Sequence, residues 1–240
     1  MFIKKSSFSV SISVFVSLVF LLPSLYANSH SDEHRLSPRE DPAIQHVEAF
    51  KIFDNLSFVG IEWVSAYVLE TSEGLVLIDS LYEGHMDHLL NGMRKLGYDP
   101  ADIKAVLCTH GHWDHLGGAA HIQELTGARV GMTDADWKMV ESGEVRGEVS
   151  IGDLKRDRVI QDGDTLTFGD TTIKCYVTPG HTLGVLSMEF TVYDNGKPHK
   201  AFIFGGVGLN FEGVERTEMY IASVKRVMAM QDIEVNPNVS

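Results

Sequence analysis

The apolar positions change period several times along the chain. In "AYVLET" and "LVLID" short β-rich runs flank Ser72, Glu73 and Gly74, a hairpin signal. Met86, Leu89, Leu90, Met93 and Leu96 then recur at helical spacing in "GHMDHLLNGMRKLG". "IKAVLCT" is a continuous apolar run of strand length. "HLGGAAHIQELTG" predicts a helix ending at Gly127, "ARVGMT" a strand, and "DADWKMVESG" a helix capped by Thr133 or Asp134. The second half restarts the pattern. "DTLTFGDTTIKCYVTPGHT" predicts a hairpin turning at Gly169-Asp170. "GVLSMEFTVY" and "KAFIFGG" predict strands around Asp194-Asn195-Gly196. "RTEMYIASVKRVMAMQ" is helical in period, and "IEVNPNVS" reads as the start of a strand. Strands followed by strand–helix alternation, twice, predict an α/β chain of two packed sheets with helices outside.

The first residues read differently. "MFIKK" is a short basic start, followed by the apolar, Ser-dotted "FSVSISVFVSLVFLLPSLYA" with Pro23 and a small residue, Ala27, at its end. That pattern predicts a secretory signal peptide over residues 1–27, hence a periplasmic or secreted protein with no stable membrane association after cleavage; an uncleaved anchor is the alternative. Residues 28–45 are polar and Pro-containing, a flexible lead-in. His30 and His34 fall there as solvated tail histidines. Residues 46–240 form the domain.

Composition narrows the partners. The 240 residues hold 33 acidic against 20 basic side chains, net −13, which argues against a nucleic-acid partner because phosphate binding needs a basic face. There are 2 cysteines, Cys108 and Cys175, each in an apolar run. They predict two buried thiols rather than a disulfide framework, and a bridge stays open at this point.

The densest chemistry lies in "CTHGHWDHLGG". His110 and His112 are two apart at a strand end, so both can face one point. Asp114 and His115 follow as the chain turns, and can face a neighbouring point. Imidazole with carboxylate suits zinc, with iron or manganese as alternatives. "TPGHT" sets His181 at another strand end, where it would complete a three-His site with one open position, the arrangement of a catalytic metal. His85 and His88 have no third ligand near them and read as surface residues. Trp113 and Trp137 are aromatic candidates near the site, or core.

"THGHWDH" resembles the His-x-His-x-Asp-His signature of the metallo-β-lactamase superfamily; "GLVLIDS", "GDTLTFGDTTI" and "TPGHT" resemble that family in the expected order. The resemblance implies a four-layer αββα sandwich of two mixed sheets flanked by helices. It implies zinc, two ions, the first on His110, His112 and His181 and the second on Asp114 and His115. Asp114 would also orient the attacking water. Asp79 in "LIDS" matches an aspartate that braces the ligand loop; a helix cap or turn is the other reading of that residue.

Two departures shape the functional expectation. Glyoxalase II and lactonases of this superfamily carry a bridging Asp after the strand matching "AFIFGG", where this sequence has Gly205 and Gly206. The resemblance is closer to the lactamase subclass with an Asp-His pair at the second zinc and no bridging Asp or Cys. The family also has one more His for the second zinc, expected just after "VNPNVS"; neither His121 nor His199 is placed to substitute. The second site therefore lacks one His ligand in this chain, and the sandwich is expected to lack its C-terminal strand and helix. The function implied is an exported zinc hydrolase opening the cyclic amide of a β-lactam, a small-molecule substrate. The alternatives are a lactone or thioester hydrolase, and a non-catalytic fragment.

Overall fold

The structure, a computed structural model, describes residue 38, residues 41–144 and residues 153–238. The signal-peptide reading of residues 1–27 and the tail histidines His30 and His34 lie outside the described residues. No helix among the described residues is long and apolar enough to cross a membrane.

Seven strands form the first sheet in chain order: β1 (Phe50–Phe53), β2 (Leu56–Phe58), β3 (Tyr67–Thr71), β4 (Gly74–Ile78), β5 (Ile103–Leu107), β6 (Arg129–Thr133) and β7 (Arg158–Ile160). β1 to β4 pair antiparallel; β4 to β7 pair parallel. The switch has a simple cause. Two-residue turns join β1 to β2 and β3 to β4, and a loop over residues 59–66 joins β2 to β3, while helical crossovers join the later strands and return the chain in the same direction. Those crossovers carry α1 (Met86–Lys95), α2 (Trp113–Leu116), α3 (Ala119–Thr126) and α4 (Asp134–Glu141). The second sheet is an antiparallel meander of β8 (Thr165–Phe168), β9 (Thr171–Val177), β10 (Leu186–Asp194) and β11 (Lys197–Ile203), followed by α5 (Val214–Met228).

Strand alternation divides the interior into two cores. On β4, Leu75 and Leu77 face the helices while Val76 and Ile78 face the second sheet; on β5, Val106 faces the helices and Ala105 and Leu107 the sheet. The inter-sheet core is closed by Ile173, Leu186, Met188, Phe190 and Ile203. α5 lies on the outer face of the second sheet, where Arg226 stacks over the Tyr176 ring at 5.3 Å and Ser223 donates to the Pro179 carbonyl. The order of layers is helices, sheet, sheet, helix: the expected αββα sandwich.

Several details differ from the sequence reading. The helix expected from His115 to Gly127 is two helices, interrupted at Gly117 and Gly118. A Cβ on Gly118 would lie 2.3 Å from the Ser80 carbonyl oxygen and from Met86, so only glycine lets the chain pass there. "IEVNPNVS" contributes a single parallel bridge, Val235 to Ala201, rather than a strand. Gln45, read as lead-in, is buried and its side chain accepts from the Trp63 N–H. The cysteines are both free, Cys108 in the helix-side core and Cys175 between the sheets, which closes the question of a bridge. Burial pushes the Cys175 thiol up to about 12.

His85 corrects the expectation most sharply. It is 1% exposed, edge-on to Tyr82 at 4.5 Å, and neither ring nitrogen has a hydrogen-bond partner. The surface reading rested on the lack of a third ligand nearby; the structure sets His85 at the end of the short 3-10 turn Glu83–His85 before α1, packed against Tyr82. His88 is also partly covered, hydrogen-bonded to the Gly60 carbonyl. An unpartnered buried imidazole costs about 1–3 kcal/mol of desolvation. His85→Leu is therefore expected to raise stability in urea by about 1 kcal/mol at neutral pH. Burial lowers the His85 pKa. Below pH ~6.5 the unfolded chain takes up a proton there that the fold refuses, so stability falls with pH. The variant lacks that share of the acid loss. A lower urea midpoint for the variant at pH 7.5 would show the imidazole to be stabilising instead.

Candidate metal centre

The parallel strands β4 and β5 end side by side, and the chemistry begins one residue beyond β4, at Asp79, and two beyond β5, at Thr109. Asp79, fully buried with φ 58°, follows β4. Its Oδ1 accepts from the Thr109 N–H at 2.7 Å; its Oδ2 accepts from the Thr109 hydroxyl and from His115 Nδ1, both at 2.8 Å. Asp79 thus holds Thr109 and His115 by three hydrogen bonds and caps no helix among the described residues. The loop is also pinned to the second sheet, where the Leu186 N–H donates to the Thr109 carbonyl at 2.7 Å.

His110, His112 and His181 come together, with one ring nitrogen from each within 4.8 Å of the others. A second group joins Asp114 and His115, but with His110 as its third member. The two groups therefore overlap at His110, where the sequence reading kept them apart. The His110 and His115 rings are tilted at 45° to each other with centroids 4.0 Å apart, and His115 Nε2 lies 3.6 Å from Asp114 Oδ2.

The hydrogen bonds of the rings fix what they can hold. A carbonyl oxygen only accepts, so His110 Nδ1–H donates to Gly205 and His181 Nδ1–H to Gly208, each at 2.9 Å. Both Nε2 atoms are left with lone pairs, and they approach each other to 3.1 Å. Two lone pairs at that distance repel unless a cation lies between them. Two nitrogens bound to one tetrahedral zinc at ~2.05 Å sit about 3.3 Å apart. The donor set thus fits a zinc ion. Burial, with His115, His181 and His112 nearby, holds the His110 pKa well below the usual imidazole range, so it stays a neutral ligand. Burial pulls His115 the same way, but the Asp79 carboxylate, and then Asp114, outweigh it and raise its pKa.

Residues 62–194 match the metallo-beta-lactamase superfamily. The chain belongs to that superfamily. Solved structures similar to it include a subclass B3 metallo-beta-lactamase of Bradyrhizobium japonicum, 32% identical, with TM-score 0.73, covering 81% of this chain and 78% of that one. A hydroxyacylglutathione hydrolase of Maricaulis maris is 30% identical over 61% of this chain and 50% of its own length. An exodeoxyribonuclease, WalJ, of Streptococcus pneumoniae is 27% identical over 71% of this chain and 60% of its own. The chain spans about half the length of the curated relatives it matches.

Within this metallo-beta-lactamase fold, the two glycines singled out after β11 have a steric reason. A Cβ on Gly205 would lie 2.0 Å from the Leu186 carbonyl oxygen, and one on Gly206 would lie 2.9 Å from the His181 Cβ. Neither position has room for a carboxylate. Trp137 is core, donating to the Arg158 carbonyl. Trp113, between His112 and Asp114, is partly exposed, edge-on to Tyr82 at 4.6 Å and tilted against Trp63 at 5.7 Å. His199 pairs with Glu234 away from the centre, and His121 is exposed on α3.

Sequence reasoning missed Asp136. It is 1% exposed, and its carboxylate accepts from Gly111 N–H, Gly184 N–H and the Thr182 hydroxyl at 2.8–2.9 Å. Burial raises its pKa against the pull of those donors. Its signal was the Thr-x-x-Asp spacing of "TDAD", which reads as helix capping. His181→Ala is expected to lower zinc retained after dialysis and to weaken zinc binding at least tenfold, while His199→Ala retains the wild-type zinc content, both by elemental analysis. Unchanged zinc in His181→Ala would take His181 out of the centre.

Proposed function

We propose that the protein is an exported zinc-dependent hydrolase that opens the amide of a β-lactam. The observation that carries the choice of substrate is the steric closure at Gly205 and Gly206, which leaves no bridging carboxylate at the centre. The likeness to a subclass B3 metallo-beta-lactamase over 78% of that chain supports the same reading. The export half rests on the apolar stretch within residues 1–27 and places the protein in the periplasm, where such antibiotics meet their targets.

His110 and His181 through Nε2, and His112 through a ring nitrogen, would hold the first zinc, with Asp114 and His115 offering a weaker second position next to it. Zinc there supplies a water activated near neutral pH and a Lewis acid for the carbonyl oxygen. The protein's own part is orientation and proton handling. Opening the amide adds a water oxygen to the carbonyl carbon, breaks the C–N bond and delivers a proton to the departing nitrogen. Asp114, only partly covered beside His115, is the carboxylate placed to orient that water and carry its proton. Asp79 keeps His115 in the tautomer whose Nε2 faces the site.

A second reading is thioester or lactone hydrolysis by the same centre, favoured by the hydroxyacylglutathione hydrolase among the relatives. The net charge of −13 argues against the phosphodiester chemistry that the name of the exodeoxyribonuclease relative carries. A binding role without turnover is the third. Zinc-loaded protein is expected to hydrolyse a chromogenic cephalosporin, to lose turnover on chelation and to regain it with zinc. Turnover of a glutathione thioester or a lactone alone would replace the lactam by that substrate. Zinc-bound protein inert towards all three would leave the non-catalytic reading.

A further inference from the structure

We infer that Asp136 is a positioning residue of the metal centre, its carboxylate setting the distance between the loop that carries His112 and the loop that carries His181. The inference rests on the reading of His110, His112 and His181 as metal ligands. Asp136 is in the first turn of α4, and none of those ligands is on that helix. Yet each donor to its carboxylate is next to or near one of them. Gly111, donating to Oδ2 at 2.8 Å, separates His110 from His112. Thr182, donating to the same oxygen at 2.9 Å, follows His181. Gly184 N–H donates to Oδ1 at 2.9 Å and closes the second loop. One oxygen is therefore shared by two loops that are 71 residues apart at His110 and His181.

The carboxylate is itself held. Thr133 Oγ1 donates to the Gly184 carbonyl at 2.7 Å and accepts from the Asp136 N–H, so α4 and the His181 loop are joined on two sides. Met139 and Val140 pack against Gly111 from the same helix. Arg216, from α5, donates to the Gly180 carbonyl at 2.6 Å and to that of His181, fixing the loop from its outer side. A displacement of the carboxylate would move both ligand loops, and in different directions.

Asparagine has the same shape but one arm that only donates. Whichever way the amide turns, an N–H meets another N–H or a hydroxyl that was donating. Thr182→Val removes one donor without touching α4. The full-length protein and both variants would be titrated with zinc against a competing chelator and with Co2+ to record its visible spectrum. Asp136→Asn is expected to bind zinc at least tenfold more weakly, with cobalt bands shifted or weakened, at wild-type far-ultraviolet circular dichroism. Thr182→Val should move both readouts the same way by less. A role confined to the start of α4 predicts a lower melting temperature with wild-type zinc affinity and cobalt spectrum in both variants, and that result would overturn the inference. If Asp136→Asn fails to fold, Thr182→Val decides by the same two readouts. Wild-type protein that binds neither metal would remove the ligand reading and the inference together.

Discussion

The centre depends on a carboxylate with no access to water. Asp79 sits just past β4 and accepts three hydrogen bonds, two from Thr109 and one from His115. Without them the loop from Thr109 to His115 would have to leave β5 with its polar groups unpaired inside the sandwich, at a cost of about 1–3 kcal/mol for each one. With them, two neighbouring parallel strands end in one rigid corner. The positive φ at Asp79 is tolerated because the three donors over-determine its position. Parallel pairing matters here: it brings two strand C-termini to the same edge, where loops can converge.

The second sheet contributes acceptors more than ligands. His181 is its one imidazole at the centre, but the carbonyls of Gly205 and Gly208 orient His110 and His181. A main chain that approaches two rings this closely has no space for side chains, as the contacts a Cβ would make at Gly206 and Gly208 show. The glycines therefore do two things. They aim the ring nitrogens, and they exclude the carboxylate that a different hydrolase of the same fold would place there.

Much of this was legible because strands and metal ligands leave local marks. Alternation gave the strands, and four metal-type side chains in "HGHWDH" gave one half of the centre. What escaped detection has a common physical character. Asp136 escapes notice because the capping reading of "TDAD" falls on Thr133 or Asp134, whereas its partners Gly111, Thr182 and Gly184 are local only in three dimensions. His85 reads as exposed because no third ligand lies near it in sequence, whereas its burial comes from Tyr82 and the 3-10 turn before α1. The break between α2 and α3 follows from Ser80 and Met86 crowding Gly118, again a contact the linear chain does not announce.

The two buried aspartates also set the charge of the site. Asp79 and Asp136 are both buried, and each accepts three hydrogen bonds from the loops that carry the imidazoles. A buried anion is tolerable when it is well solvated by protein donors and faces a compensating cation. Arg216 offers one cation on the Asp136 side, and a dication held by the imidazoles would offer the other at the centre itself. A dication held by His110 Nε2 and His181 Nε2, which lie 3.1 Å apart, would balance the charge of the two carboxylates. A metal held there would couple its binding to the folding of this edge of the sandwich.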